Sequence, residues 1–271
     1  MPATLDQIVA AARKRASEAR SHGDARELEK SATQHKVRGF RAGLERAAAS
    51  GVAIIAELKK ASPSRGVIRA DFDVKKLATE LEQAGASALS VLTDEEFFQG
   101  SLQNLRRASS ATALPCLRKD FIVDEFQLLE ARANGADAVL LIVAALSQAE
   151  LGTLLRKSRE MQLDVLCEVH DRDELQRALD AGCDLIGVNS RDLRTFRVDL
   201  DTPQRLATAM PSHVLRVAES GIHSAEDLRR LRAAGYQAFL IGESLMKAAS
   251  PGAALSELLA SSAQQTVRTA Q

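Results

Sequence analysis

The chain carries no excess charge of either sign, because Lys and Arg together number 36 and so do Asp and Glu. A balanced charge gives no general attraction to nucleic acid or to an anionic membrane, so neither is an expected partner and any anion site must be local. Long apolar segments are also missing: the N-terminus has none, and the longest run, residues 138–146, is far too short to span a bilayer. We therefore expect a cytoplasmic protein.

Cysteine is scarce, and the residue patterns of common cofactor sites are absent. Cys116, Cys167 and Cys183 form no C-x-x-C pair, and two of them lie inside apolar runs, so we expect all three to be reduced, structural thiols. The chain has neither closely spaced histidines nor a G-x-G-x-x-G after a strand. No metal and no organic cofactor are expected.

The length and composition favour one main domain. With 271 residues and 45% hydrophobic content, the chain can bury one large core. Residues 1–50 read as an N-terminal helical extension with amphipathic segments, residues 51–262 as the catalytic domain, and residues 263–271 as a frayed tail.

One pattern recurs four times: a helical stretch that ends in glycine, followed by an alanine-rich lead into an apolar strand. The four glycines are Gly85, Gly135, Gly182 and Gly235. Each stands where a helix end needs a left-handed residue. The repeats are about twice as long as one strand-helix unit, and another strand candidate falls inside each interval, which predicts eight strands.

At least six of the apolar runs end in polar side chains or in glycine. These ends are Glu57 with Lys59, Lys119, Glu168 with His170, Asn189 with Arg191, Glu219, and Gly242 with Glu243. A doubly wound open sheet would concentrate such residues at one switch point. Because they occur along the whole chain, we predict an α/β fold, a (β/α)8 TIM barrel with its site at the C-terminal face of the strands.

These ends place lysines and carboxylates at one mouth. Residues two apart share a face of a strand, so Glu57 and Lys59 point the same way. Lys119 and Glu168 add a second lysine and a second carboxylate, a combination that suits acid-base chemistry on a polarised carbonyl. The alternative for Glu57 and Lys59 is a structural ion pair at the rim. His170 reads as a loop histidine that partners a carboxylate.

Three segments resemble an anion cradle. They are residues 62–66 after the first strand, Glu219-Ser220-Gly221 after the seventh, and Gly242-Glu243-Ser244 after the eighth. Backbone N–H groups of glycine turns and helix starts bind phosphate, and barrels commonly do so after strands seven and eight. The pattern predicts a phosphorylated ligand, to which Arg65 adds charge.

Taken together, the runs IAELKKASPSRG, LRKDFIVDEFQ, LCEVHDRDEL, IGVNSRDL, VAESGI and FLIGESLM resemble the indole-3-glycerol phosphate synthase family of tryptophan biosynthesis. The resemblance extends from about residue 4 to residue 260. It implies ring closure of 1-(2-carboxyphenylamino)-1-deoxyribulose 5-phosphate with loss of carbon dioxide and water, without metal or cofactor. It also implies that Lys119 is the general acid and Glu168 a general base, while Lys59, paired with Glu57, holds the substrate carboxylate.

The same resemblance implies further contacts with the substrate. Asn189 and Arg191 map onto positions that contact the ribulose hydroxyl and orient the anthranilate end, and Glu219 is a polar contact in the catalytic cluster. The phosphate positions are Ser62, Ser220, Gly221, Gly242 and Glu243, and the apolar wall is Phe98, Phe121, Leu140 and Leu193. Glu243 stands where some family members have a small hydroxyl residue.

Other functions remain open on the residues alone. A lysine in a desolvated strand end also suits a Schiff-base aldolase. Phosphoribosylanthranilate isomerase is another barrel of this kind, but it relies on a strand-end Cys and Asp pair where this chain has Glu57 and Lys59. A barrel that only binds a sugar phosphate is the non-enzymatic alternative. For the oligomeric state we favour a monomer.

Overall fold

The structure, a computed structural model, describes residues 3–192 and 197–264. Its strands are short. They are β1 (Ala53–Leu58), β2 (Ala61–Ser62), β3 (Gly66–Val67), β4 (Ala88–Leu92), β5 (Cys116–Lys119), β6 (Ala138–Ile142), β7 (Asp164–Val169), β8 (Leu185–Asn189), β9 (Leu215–Glu219) and β10 (Ala238–Ile241). All of them except β2 and β3 are apolar and almost fully buried, and belong to one closed parallel barrel.

The barrel closes because its first and last strands pair. β1 pairs with β10 through Ala53–Ala238 and with β4 through Ile55–Ala88, so every barrel strand has two neighbours and none is an edge. β2 and β3 form a small antiparallel hairpin directly after β1. The predicted (β/α)8 TIM barrel is confirmed, and all the strand ends named above meet at one face.

Helices surround the barrel and alternate with its strands. In the described residues they are α1 (Leu5–His22), α2 (Ala25–Gln34), α3 (Phe40–Ser50), α4 (Val74–Gln83), α5 (Glu95–Phe98), α6 (Leu102–Ala111), α7 (Glu125–Ala133), α8 (Gln148–Glu160), α9 (Arg172–Asp180), α10 (Asp201–Ala207), α11 (Ala225–Ala233), α12 (Glu243–Lys247) and α13 (Pro251–Gln264), with a 3-10 turn at Val143–Ala145. Several begin with an acidic or hydroxyl cap, such as Asp73 before α4.

The repeated glycines act as the sequence predicts. Gly85, Gly135, Gly182 and Gly235 follow α4, α7, α9 and α11, and all have φ between 82° and 97°. After α4, the N–H of Ala86 bonds back to the carbonyl of Leu81 at 3.0 Å, which closes the helix before the chain turns into its strand. A residue with a Cβ would be strained in this conformation.

The N-terminal helices α1 to α3 precede the barrel, and together with the connection between α2 and α3 they contact both of its ends. At the bottom, buried Asp137 accepts hydrogen bonds from the Arg38 guanidinium at 2.6 and 2.9 Å and from the His35 ring at 3.1 Å. At the mouth, Arg13 of α1 pairs with Glu150 at 2.8 Å, and Arg15 pairs with Asp94. The predicted domain boundaries at residues 50 and 262 stay a prediction. Of the predicted tail, residues 263–271, the structure describes only the backbone of the first two residues, which belong to α13.

One expectation about cysteine is wrong. The structure joins Cys167 of β7 and Cys183, just before β8, by a disulfide with a Cα–Cα distance of 6.5 Å. The two residues are separated along the chain by α9, so only the pairing of β7 with β8 brings them together. The prediction of a reduced thiol, made for all three cysteines, is confirmed for Cys116, which is free and fully buried. Burial raises the pKa of the Cys116 thiol to about 12.

Candidate active site

A single cavity at the C-terminal mouth of the barrel collects the predicted site residues. It encloses about 1220 Å³, including the part that is open to solvent. The predicted residues that line it are Glu57, Lys59, Ser62, Phe98, Lys119, Phe121, Leu140, Glu168, Asn189, Arg191, Glu219, Ser220, Gly221, Gly242 and Glu243. Leu193 lies outside the described residues.

At the centre of the mouth, one lysine lies between two carboxylates from different strands. Lys119 Nζ, at the end of β5, is 2.6 Å from Glu168 Oε2 of β7 and 3.2 Å from Glu219 Oε2 of β9. The Glu168 and Glu219 side chains are each only 2% exposed. The barrel geometry alone makes this cluster, because the three residues are far apart in the sequence and meet only at the converging strand ends.

The cluster changes the pKa of each of its members. Burial acts to lower the pKa of Lys119, but the two carboxylates outweigh it and hold the pKa above its ordinary value. Burial acts to raise the pKa of Glu168, but Lys119 and His170 outweigh it, and that pKa is lowered. Burial raises the pKa of Glu219 to about 8, against Lys119 and with the help of Glu168. At neutral pH the cluster therefore holds an ammonium, a carboxylate and a carboxylic acid.

A second lysine-carboxylate pair lies at the end of β1. Lys59 Nζ is 2.6 Å from Glu57 Oε1, and both side chains are largely buried. Gly242, after β10, packs against this glutamate: a Cβ on Gly242 would meet Glu57 Oε1 at 2.4 Å. The glycine is therefore needed to make room for the Glu57 carboxylate.

Two residues at the end of β8 connect the central cluster to the rim. Asn189 donates from Nδ2 to Glu168 Oε1 at 3.2 Å, and its Oδ1 accepts the backbone N–H of Arg191 at 3.0 Å. Arg191 reaches across to Glu243, with Nη2 3.4 Å from Oε2. Asn189 thus orients the carboxylate of Glu168 and also anchors the turn that carries Arg191.

The turn after β9 carries two successive residues in the left-handed region of the backbone. Ser220 and Gly221 both have positive φ values, 67° and 76°. A serine in this conformation is strained, a feature that concentrates at functional sites. Gly221 also lies close to Val198, whose Cγ1 would be 2.5 Å from an added Cβ.

The Glu243 carboxylate binds cations at the rim. Its Oε1 is 2.6 Å from Lys247 Nζ and 3.5 Å from Arg65 Nε, and its Oε2 faces Arg191. Burial acts to raise the pKa of Glu243, but these cations outweigh it and lower the pKa. The carboxylate is thus neutralised within the protein, which removes the main physical objection to a glutamate at a phosphate site.

One wall of the cavity is apolar. The rings of Phe98 and Phe121 pack at a centroid distance of 6.3 Å, and Leu140 lies nearby in the lining. Leu5 and Ile8 of α1 also line the cavity, and the sequence analysis did not identify them. Their spacing on the apolar face of an amphipathic helix was the available signal, but nothing in the sequence places α1 over the mouth.

Two negative findings apply to the described parts of the chain. In residues 3–192 and 197–264, no group of three or more His, Cys, Asp or Glu side chains could hold a metal ion. No helix there is both long and apolar enough to cross a membrane.

Comparison with known proteins gives consistent results along the chain. A family model described as indole-3-glycerol phosphate synthase matches residues 5–258. The chain is 60% identical over 259 residues to the indole-3-glycerol phosphate synthase of Koribacter versatilis, covering 96% of this chain and 100% of that one. It is 49% identical over 258 residues to the synthase of Leptothrix cholodnii, covering 94% and 98% of the two chains.

More distant solved structures share the fold. Thiamine phosphate pyrophosphorylase from Pyrococcus furiosus aligns with a TM-score of 0.58 at 17% identity, covering 76% of this chain and 93% of that one. A mandelate oxidase variant aligns with a TM-score of 0.57 at 19% identity, covering 81% and 73%. At such low identity these likenesses support the barrel architecture alone.

Proposed function

Because the chain belongs to the indole-3-glycerol phosphate synthase family, we propose that its barrel mouth converts 1-(2-carboxyphenylamino)-1-deoxyribulose 5-phosphate into indole-3-glycerol phosphate. The enzyme is a decarboxylating carbon-carbon lyase of tryptophan biosynthesis, and its substrate is a small phosphorylated molecule. The observation that carries the proposal is the buried Lys119 between two carboxylates at the mouth.

Lys119 is the general acid of ring closure. As the ring carbon attacks the ketone, negative charge develops on the ketone oxygen, and an ammonium in a dry site stabilises that charge far better than water does. Lys119 is 13% exposed and is kept protonated by its two carboxylate neighbours.

Glu168 is the general base that removes a proton from the methylene carbon during loss of water. Its lowered pKa keeps it ionised at neutral pH, and Asn189 fixes the orientation of its Oε1. Acid and base therefore come from different strands, β5 and β7, and meet at the mouth of the barrel.

Lys59 holds the substrate carboxylate and shares the role of acid during dehydration. Its ion pair with Glu57 keeps it oriented at the end of β1 until the substrate arrives. Asn189 and Arg191 contact the ribulose hydroxyl and the anthranilate end, and Glu219 adds a polar contact in the cluster. The aromatic ring packs against Phe98, Phe121 and Leu140; Leu193 is proposed there from the sequence alone.

The phosphate binds at the rim, on the turn after β9 and at the start of α12. Ser62 and Ser220 offer hydroxyls, and backbone N–H groups at Gly221, Gly242 and Glu243 offer donors. Arg65 and Arg191 supply positive charge, since both already lie against the Glu243 carboxylate. We further propose a monomer in the cytoplasm, without nucleic-acid partners and without metal or organic cofactor.

The test is to mix the purified protein with the carboxyphenylamino-deoxyribulose phosphate in the presence of a chelator and follow the indole product. The chain contains no tryptophan and one tyrosine, so indole fluorescence is read against little protein background. Appearance of indole supports the proposal. Folded protein that binds the compound without turnover would contradict it, and borohydride trapping of a lysine adduct would favour the aldolase instead.

A further inference from the structure

His170 follows Glu168 on the same face of the chain and is not part of the cavity lining. Its side chain is 13% exposed. The Glu174 carboxylate fixes the ring, because its Oε2 lies 3.0 Å from Nδ1 and also accepts the backbone N–H of His170 at 2.8 Å. Because the carboxylate holds Nδ1, the direction in which Nε2 points is fixed.

The His170 Nε2 atom points toward Glu168, the proposed general base. Nε2 lies 3.4 Å from Glu168 Oε1, and among the described residues this buried nitrogen makes no hydrogen bond, so its contact with Glu168 is electrostatic. Glu168 thus has a cation on each side: Lys119 at Oε2, at 2.6 Å, and the His170 ring at Oε1. The two contacts differ because Lys119 faces the cavity and His170 lies behind it.

The proposed reaction makes this second contact necessary. Lys119 loses its positive charge when it protonates the ketone oxygen, and Glu168 is then a carboxylate with a side-chain exposure of only 2%. A buried carboxylate without a counter-charge takes up a proton and ceases to be a base. A cation that does not take part in the proton transfer would keep Glu168 ionised through this stage.

We propose that His170, held as an imidazolium by Glu174, is a positioning residue that keeps Glu168 ionised and oriented as the base after Lys119 has given up its proton. This inference rests on the proposed function. His170 itself touches neither the substrate nor the reacting atoms; it acts through Glu168.

The charges around His170 support an imidazolium at working pH. Burial acts to lower the pKa of His170, but Glu168 of its own strand and Glu174 of α9 outweigh it and raise the pKa to about 10. The other charged groups near this turn are Lys119 of β5, beyond Glu168, and three solvent-exposed residues at the start of α9: Asp171, Arg172 and Asp173. The Glu168 and Glu174 carboxylates therefore dominate the titration of the ring.

The experiment compares the pH dependence of kcat in wild type, His170→Asn and Glu174→Gln. Loss of the imidazolium should raise the pKa of Glu168, so the acidic limb of kcat should move to higher pH by about 1 to 3 units, with KM within about two-fold of wild type. Glu174→Gln should move it in the same direction by less. His213→Asn, at an exposed histidine before β9, is the matched control and should leave the profile unchanged.

A second readout does not depend on turnover. NMR of protein labelled with 15N at its five histidines should show both ring nitrogens of His170 protonated at pH 8 in wild type, and loss of one of these protons at a lower pH in Glu174→Gln than in wild type. A neutral ring in wild type overturns the proposal. So does a lower kcat with an unmoved acidic limb, which would indicate a purely structural role. A wild type without turnover refutes the proposed function instead, and the NMR result still decides the charge of His170.

Discussion

Replacing Lys119 tests the central cluster most directly. General acid-base catalysis typically contributes 10²- to 10⁴-fold, so Lys119→Ala should lower kcat at least about 100-fold, which corresponds to about 2.7 kcal/mol or more in the activation barrier. The physical reason is that Lys119 supplies the ammonium held between Glu168 and Glu219, and an alanine at the end of β5 has no proton to give.

The same change should also affect stability, and the structure bounds the effect. Removing one partner of a buried ion pair typically costs about 3 to 5 kcal/mol. Here Glu219 already holds a proton near neutral pH, and Glu168 keeps His170 and the Asn189 amide. Only one carboxylate loses a counter-charge, so we expect a cost of at most about 3 kcal/mol in the free energy of unfolding.

The Lys119→Arg variant distinguishes the role of Lys119 as a proton donor from the effect of its positive charge. A guanidinium stays protonated in proteins, so the variant should retain most of the stability but lose turnover as severely as the alanine variant. Turnover is measured from indole absorbance and stability from urea unfolding, with Lys75→Ala, at an exposed lysine of α4, as the control. Near-normal turnover in Lys119→Ala, or in Lys119→Arg, would refute the assignment of Lys119 as the acid.

Three further predictions follow from single contacts. Burial raises the pKa of Glu219 to about 8 in the free enzyme, and ionising this residue adds negative charge to the cluster and holds the Lys119 proton more tightly. The value of kcat/KM should therefore fall as pH rises through about 8 in wild type but not in Glu219→Gln. A fall of kcat/KM at the same pH in both proteins would contradict this. Gly187→Ala should disable the enzyme, because the new Cβ would meet Glu219 Oε1 at 2.0 Å, whereas Gly152→Ala, which meets nothing within 4 Å, should keep full turnover in the same assay. Arg38→Ala should leave the fully buried Asp137 side chain without its main cation. The free energy of unfolding in urea should fall by about 3 to 5 kcal/mol, while kcat changes little. An unchanged unfolding midpoint would show that the pair does not stabilise the fold.

The barrel and the membership of its mouth could be read from the sequence because both depend on local patterns. A strand alternates its faces and a helix end needs a left-handed residue, so the positions of Gly85 and Gly135 predicted where elements end. A closed parallel barrel then brings every strand end to one face. Lys119, Glu168 and Glu219 could therefore be placed together before any coordinates were known.

Contacts between segments that no local pattern relates were decided only by the tertiary structure. Cys167 and Cys183 form a disulfide because β7 pairs with β8. Helix α1 lines the cavity with Leu5 and Ile8 because its apolar face, which includes Ile8 and Ala12, packs into the core. The direction of the His170 ring likewise depends on where α9 places Glu174. Sequence patterns encode periodicity and turns, whereas distances between side chains on different elements arise only when the whole core packs.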